Sequence, residues 1–288
     1  MSPIGESRLR IEFHLKGVVQ GIGLRPKILR LARQKGIFGS VANCGDSVLI
    51  RAQSQKKSHL DEFLENIKIW GELGQIKETS YLESEKDFRI EQSHSEGIRA
   101  PVLSPDTAIC DLCRAEFYDF NSRRYGYHFI SCAECGPRLS IAARTPYDRD
   151  LTSWRKFPIC QECRREYEDP LDRRFHVEGI SCPQCGPTLS LLDSNGEKLS
   201  DGKLAIDRVC KELRAGKIIA VKGMTGFHLM VDARNSESLQ TLRRAKNRPS
   251  KPFALMVANR DEAKKIGVLD SLQTQAFESS IAPIVLVD

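Results

Sequence analysis

Eight of the ten cysteines in this 288-residue chain fall into four Cys-x2-Cys pairs, Cys110/Cys113, Cys132/Cys135, Cys160/Cys163 and Cys182/Cys185, leaving Cys44 and Cys210 over. Within each set the second pair follows after 18 residues, so C-x2-C-x18-C-x2-C occurs twice with a period of 50. The match extends past the thiols, to Ile109/Ile159, Arg114/Arg164, Glu116/Glu166, Asp119/Asp169, Arg123-Arg124/Arg173-Arg174, Gly136-Pro137/Gly186-Pro187 and Leu139-Ser140/Leu189-Ser190. Such a match marks an internal duplication. A Cys-x2-Cys turn aims two thiolates at one point, and two turns complete a tetrahedral four-sulfur site suited to Zn2+. Four sulfurs fill the coordination sphere and leave no position for a catalytic water, so two structural zinc sites are expected. A redox dithiol needs a single pair, and iron–sulfur ligation favours a more closely spaced run. His128 and His176 lie between the pairs at non-equivalent positions and read as aromatic spacers, not ligands.

A second stretch, Gly17-Val-Val-Gln-Gly-Ile-Gly-Leu-Arg-Pro26, carries a different chemistry. Gln20, Gly21, Ile22, Gly23 and Leu24 can form a loop with inward-facing N–H groups at a helix N-terminus, where the dipole favours an anion. Arg25 follows, and a guanidinium grips phosphate through parallel hydrogen bonds. Asn43 stands about twenty residues on, beside Cys44, which has no evident His/acid partner and reads as a bystander thiol.

These residues need elements to hold them. "LRIEFHLKG" (9–17) reads as a strand, "RPKILRLARQKG" (25–36) as an amphipathic helix, and "IFGSVAN" and "SVLIRAQ" as two more strands. A second helix at 56–70 and a closing strand at 87–92 complete β-α-β-β-α-β, the order of a ferredoxin-like α+β fold. The boundaries are 8–95 for this domain, 105–192 for the duplicated cysteine module and 201–288 for a third, α/β unit. In the third unit a helix over about 203–215, burying Cys210, precedes strands at "KIIAVKG" and "FHLMVDA", a capped helix, a basic turn, and strands at "FALMVA" and "PIVLV".

Charge limits the partners. From Ser104 to Ser190 there are 12 Lys/Arg against 13 Asp/Glu, and two four-thiolate zinc centres would each add a formal −2, which disfavours phosphate-backbone binding there. Residues 201–288 carry 15 Lys/Arg against 10 Asp/Glu, concentrated in "RRAKNRPSKP" (243–252). Prolines 249 and 252 in that run argue for a fixed turn that could aim Lys246, Arg248 and Lys251 at a polyphosphate. No run approaches the roughly 18 apolar residues of a membrane span, and "MSPIGESRLRIEF" lacks the apolar stretch of a secretory signal. A cytoplasmic protein with reduced thiols and no membrane partner is expected.

G-x-V-Q-G-x-G-x-R followed by "VAN" resembles the acylphosphatase family. The resemblance implies that Arg25 and the Gln20–Leu24 loop hold the phosphate while Asn43 orients the attacking water, with Ile22 and Leu24 in place of the usual valine and phenylalanine. The third unit resembles the YrdC-type nucleotide-binding domain, which implies ATP (with Mg2+) held by Lys222, Lys246, Arg248 and Lys251. Ala245 and Thr225 stand where relatives commonly have arginine and glycine. The three modules in this order resemble the HypF-type carbamoyltransferases that mature nickel–iron hydrogenases. That implies hydrolysis of carbamoyl phosphate to carbamate, adenylation of carbamate by ATP, and transfer to the C-terminal cysteine of a HypE-type partner through a further domain.

The chain stops at "APIVLVD", inside the third unit. A fragment or disrupted product is therefore expected, with the first module alone complete enough to act. Two other readings stay open: a free-standing acylphosphatase with a zinc tail, and a zinc-containing RNA-binding module. Double-stranded RNA binding rests only on fold analogy of the YrdC-like unit.

Overall fold

The computed structural model describes residues 8–94 and 103–287; residues 95 and 288, which end two of the expected domains, lie outside them. The described residues divide into two compact units. One runs to Phe117 and includes Tyr127–Gly186; the other comprises Tyr118–Gly126 and the chain from Pro187 onward.

The first unit begins with β1 (Leu9–Lys16), α1 (Leu24–Gln34), β2 (Phe38–Cys44), β3 (Ser47–Ser54) and α2 (Lys57–Lys68). Strand β1 buries Ile11, Phe13 and Leu15 and turns Glu12 and His14 away, the period-two alternation of a sheet with one face covered. Leu60, Phe63 and Ile67 of α2, and Ile28, Leu29 and Ala32 of α1, fill that covered face, each at most 2 % exposed. Burying each large side chain contributes roughly 1.5–3 kcal/mol, enough to fix which faces of the helices meet the sheet. Phe175, from between Cys163 and Cys182, joins the same core, so the second finger is packed into the first domain.

The sheet order is β4-β1-β3-β2-β6. It confirms the ferredoxin-like plan but corrects the closing strand. The strand beside β1 is β4 (Glu72–Leu73), continued by β5 (Lys77–Thr79), both antiparallel to β1. The segment expected to close the sheet forms β6 (Phe88–Ile90), parallel to β2 at the opposite edge. Every residue of β5 is exposed, so that edge has no buried alternation to announce it.

Two short helices follow the first cysteine of each set, α3 (Asp111–Tyr118) and α4 (Gln161–Glu168). In the second unit β7 (Ser190–Leu192) pairs with β8 (Lys198–Asp201), α5 spans Gly202–Arg214, and β9 (Ile219–Lys222) pairs with β10 (Phe227–Met230). Helices α6 (Ser236–Ala245), α7 (Arg260–Lys264) and α8 (Ser271–Phe277) complete it. The strands expected at "FALMVA" and "PIVLV" are absent: residues 253–257 and 282–287 pair with no strand among the described residues. A strand needs an edge to pair with. The sheets of this unit contain two strands each, so apolar runs such as Met256, Ile284 and Leu286 stay exposed. Cys210, expected to be buried, is half-buried, because α5 packs only on such narrow ribbons.

Candidate active site and metal centres

The glycine-rich loop ends where α1 begins. Gly23 caps the helix in the left-handed region (φ 65°), and Leu24, Arg25 and Pro26, its first turn, are buried. No acidic residue occupies that turn, which leaves the positive end of the helix dipole uncompensated by its own side chains. A Cβ on Gly23 would stand 2.9 Å from the Ala133 Cβ, so the Cys132–Cys135 knuckle of the first finger closes directly over the loop. Arg138 reinforces this closure. Its guanidinium donates to the Gly21 carbonyl and to the carbonyls of Cys132 and Cys135, the latter two at 2.9 Å.

Gln20, Gly21, Gly23, Leu24, Arg25 and Asn43 all line one small cavity of about 30 Å³. Ile22, the remaining loop residue, is half-buried and packs against the core of the first domain. Arg25 and Asn43 arrive from different elements, the start of α1 and the end of β2, and both are buried, at 9 % and 2 % exposure. The Gln20 side chain works as a brace: its amide donates to the Gly45 carbonyl at 3.0 Å, and its oxygen accepts from the Tyr147 N–H at 3.1 Å. Cys44 is half-buried at the end of β2.

The cavity's other wall comes from the cysteine module. The Arg25 guanidinium meets Glu178 Oε1 at 3.1 Å, Asp148 Oδ1 at 3.2 Å and the Ser93 hydroxyl at 3.3 Å. Glu178 is buried, and its Oε2 accepts from the Arg149 N–H at 3.0 Å and the Tyr167 hydroxyl at 3.2 Å. Burial pushes the Glu178 carboxyl up to about 7, partly opposed by the Arg25 charge. Burial and the same guanidinium bring His176 down to about 4. His176 packs against Tyr167, tilted at 4.9 Å between centroids, and edge-on against Phe175 at 4.6 Å, the contacts of an aromatic spacer. His128, exposed, packs edge-on against Phe117 at 5.6 Å.

The eight paired cysteines assemble as two clusters, Cys110/Cys113/Cys132/Cys135 and Cys160/Cys163/Cys182/Cys185, with the sulfurs of each within 4.8 Å of one another. Sulfurs arranged tetrahedrally at the Zn–S length of roughly 2.3 Å would be about 3.8 Å apart. The observed separations are 3.7 Å for Cys110–Cys132 and 3.9 Å for Cys132–Cys135 in one cluster. In the other they are 3.8 Å for Cys160–Cys182 and 3.6 Å for Cys163–Cys185. Both clusters fit zinc. Arg173 donates to the Cys113 sulfur at 2.9 Å, a cation placed against a thiolate and supplied by the other repeat.

Of the four residues expected at a nucleotide, Lys222, Lys246 and Lys251 are exposed and Arg248 is half-buried, and they fall on two elements. Lys246 caps the end of α6, and the turn after it is tied together by Arg243, which donates to the carbonyls of Arg248 at 3.1 Å and Lys251 at 3.0 Å. Arg248 lies over the Phe253 ring at 5.4 Å. Lys222 ends β9 with its ammonium 5.4 Å from the centre of the Phe227 ring; no hydrogen bond joins it to the turn among the described residues.

Sequence reasoning did not find Glu178, Asp148, Arg138 or Tyr147. A signal for Glu178 lay in the duplication itself: 50 positions back stands His128, and the partners Tyr167 and Phe117 differ in the same register. Asp148 and Tyr147 lie between the repeats, in a segment with no pattern to read.

Fold and site together define an acylphosphatase-type domain whose glycine-rich loop is packed against a pair of four-cysteine fingers. The acylphosphatase family matches residues 11–93, the HypF finger matches 109–142 and again 159–192, and the family described as "Telomere recombination" matches 211–288. The chain is 42% identical to carbamoyltransferase HypF2 of Cupriavidus necator over 99% of its own length and 36% of that protein's. It is 41% identical to carbamoyltransferase HypF of Synechocystis sp., over 96% and 37%. A crystal structure of full-length HypF in a phosphate- and nucleotide-bound form superposes with a TM-score of 0.83 at 35% identity, covering 95% of this chain and 36% of that one. The structure of T. kodakarensis HypF does so with 0.83 at 34%, covering 94% and 35%. The chain belongs to the HypF carbamoyltransferase family, and it spans little more than a third of the length of the relatives it matches. No helix among the described residues is long and apolar enough to cross a membrane.

Proposed function

We propose that this chain hydrolyses acyl phosphates, with carbamoyl phosphate as the substrate, at the cavity shared by Arg25, Asn43 and the Gln20–Leu24 loop. The observation that carries this reading is the meeting of a buried guanidinium, a buried carboxamide and a helix N-terminus around one cavity. The loop N–H groups and Arg25 take the phosphoryl oxygens, and the charge that develops on them during attack is what these donors are placed to stabilise. The Asn43 side-chain oxygen accepts a hydrogen bond from water and directs it at phosphorus. The bond from phosphorus to the acyl oxygen breaks, giving inorganic phosphate and carbamate. The phosphate in the full-length HypF structure supports the phosphate assignment.

Within this reading, residues 8–95, 105–192 and 201–288 serve as hydrolase domain, paired zinc fingers and YrdC-like domain. Lys222, Lys246, Arg248 and Lys251 bind ATP, the nucleotide that activates carbamate. The carbamoyl group then goes to the C-terminal cysteine of a HypE-type partner in the longer relatives. A cytoplasmic location accords with ten cysteines that form no disulfide. Phosphate release from carbamoyl phosphate and acetyl phosphate tests the central step: the chain should turn over both, and Arg25→Ala and Asn43→Ala should each lose activity. Equal rates in Arg25→Ala and the parent would overturn it.

A further inference from the structure

Glu178 is the deepest-buried charged group around Arg25, and nothing in the hydrolysis scheme above uses it. A buried carboxylate is costly unless paired, and replacing such pairs by apolar groups is often neutral for stability, so stability alone is a weak reason for it to be there. Its geometry is that of a fixed anchor. One oxygen faces Arg25 Nη2 at 3.1 Å while the other is held by the Arg149 N–H and the Tyr167 hydroxyl. Tyr167 and Glu178 both lie on the second finger, between its first cysteine and Cys182.

The duplication provides independent support. The first finger has Phe117 and His128 at the equivalent positions, packed edge-on with ring centroids 5.6 Å apart. The second finger replaces that aromatic pair with a hydroxyl–carboxylate pair, and it is the second finger's pair that reaches Arg25. The two copies therefore share a metal-binding frame and differ where one of them meets the phosphate cavity.

We infer that Glu178 is a positioning residue for Arg25 in acyl phosphate hydrolysis, which makes the second finger a working part of that site. The inference rests on the hydrolase reading. Two terminal nitrogens joined to one planar group take a defined orientation only when acceptors hold them, and a misplacement near 1 Å can cost about 100-fold in rate. Glu178 holds Nη2; Asp148, itself 30% exposed in its side chain, and Ser93 hold Nη1. Three acceptors on a group with five N–H donors leave donors for a phosphate.

Glu178→Ala frees the fork and removes a negative charge beside an anion site. Turnover of acetyl phosphate should fall ~10–100-fold, the range typical of lost outer-shell support, with KM and competitive inhibition by inorganic phosphate changed far less. Glu178→Gln can still offer an oxygen to Arg25 and should recover much of the loss. His128→Gln, at the equivalent place in the first finger, should be without effect. Zinc content and melting temperature are measured on the same preparations. Unchanged or faster turnover in Glu178→Ala would overturn the inference, the faster case showing that the carboxylate competes with phosphate. Turnover, phosphate inhibition and zinc content falling together would also overturn it, as a purely structural role. The hydrolase reading stands or falls separately, on whether Arg25→Ala abolishes phosphate release.

Discussion

Arg25 and Glu178, 153 positions apart in the chain, bring guanidinium and carboxylate to 3.1 Å in a buried site. One begins the first helix of the acylphosphatase-like fold; the other hangs in the loop of the second zinc finger. The fingers thus form a wall of the cavity around Arg25, beyond any role as a linker.

Truncating Arg25 removes the charge-assisted donor and leaves Glu178 and Asp148 facing an incoming phosphate without compensation. Hydrolysis of acetyl phosphate by Arg25→Ala should drop at least 100–1000-fold, the loss typical for one donor at a developing oxyanion. Steady-state phosphate release measures it. Asn43→Ala should lower kcat with little change in KM, because it acts on water and not on the bound phosphate.

Two groups at this site, buried Glu178 and half-buried His176, titrate in opposite senses. Glu178, raised from 4.5 to about 7, is protonated more readily in the folded chain, so between those values stability falls as pH rises. Burial raises that value most, Asp148 adds to it, and Arg25, the Arg149 N–H and Tyr167 oppose it. His176, lowered from 6.5 to about 4, binds its proton more readily when unfolded, so between 4 and 6.5 stability rises with pH. The two slopes largely offset in the parent. In Glu178→Gln the first is gone, and urea unfolding from pH 5 to 7 should show the variant gaining stability relative to the parent as pH rises. Taking the difference cancels zinc loss common to both proteins.

Metal removal should reach the hydrolase site through the second finger. The parent should hold two zinc ions per chain, and Cys182→Ser one, by elemental analysis. Since Glu178 and Tyr167 lie between the ligands of that site, Cys182→Ser should lower acyl phosphate turnover. Loss of zinc with turnover unchanged would separate the finger from the chemistry.

Gly23→Ala places a methyl group 2.9 Å from Ala133 Cβ at a residue with φ of 65°. Strain of about 1 kcal/mol from the backbone alone, plus the contact, should push the loop and knuckle apart. A lowered melting temperature together with weaker inhibition by inorganic phosphate is the expected result.

Much of this was legible from the chain alone, for reasons of short range. Thiol ligation depends on spacings of three residues, repeats on self-similarity, and the α1–β2–β3 framework on alternation and helical periodicity, all local properties. Arg25 could be named because the loop and its helix are contiguous, whereas Asn43, on a different strand, could be named only through the resemblance of the loop and "VAN" to the acylphosphatase family. The edge strand at 72–79 was not legible, since it is exposed and held by pairing to β1 and not by buried side chains. The apolar runs at 253–257 and 282–287 read as strands, yet strand formation is decided by a partner edge, which local sequence does not contain. The composition of the cavity at Arg25 was the tertiary structure's decision: Glu178, Asp148 and Arg138 reach Arg25 and the loop only after the fingers fold around their thiols and Phe175 docks in the first domain's core. Such contacts span more than a hundred residues, where no periodicity carries information.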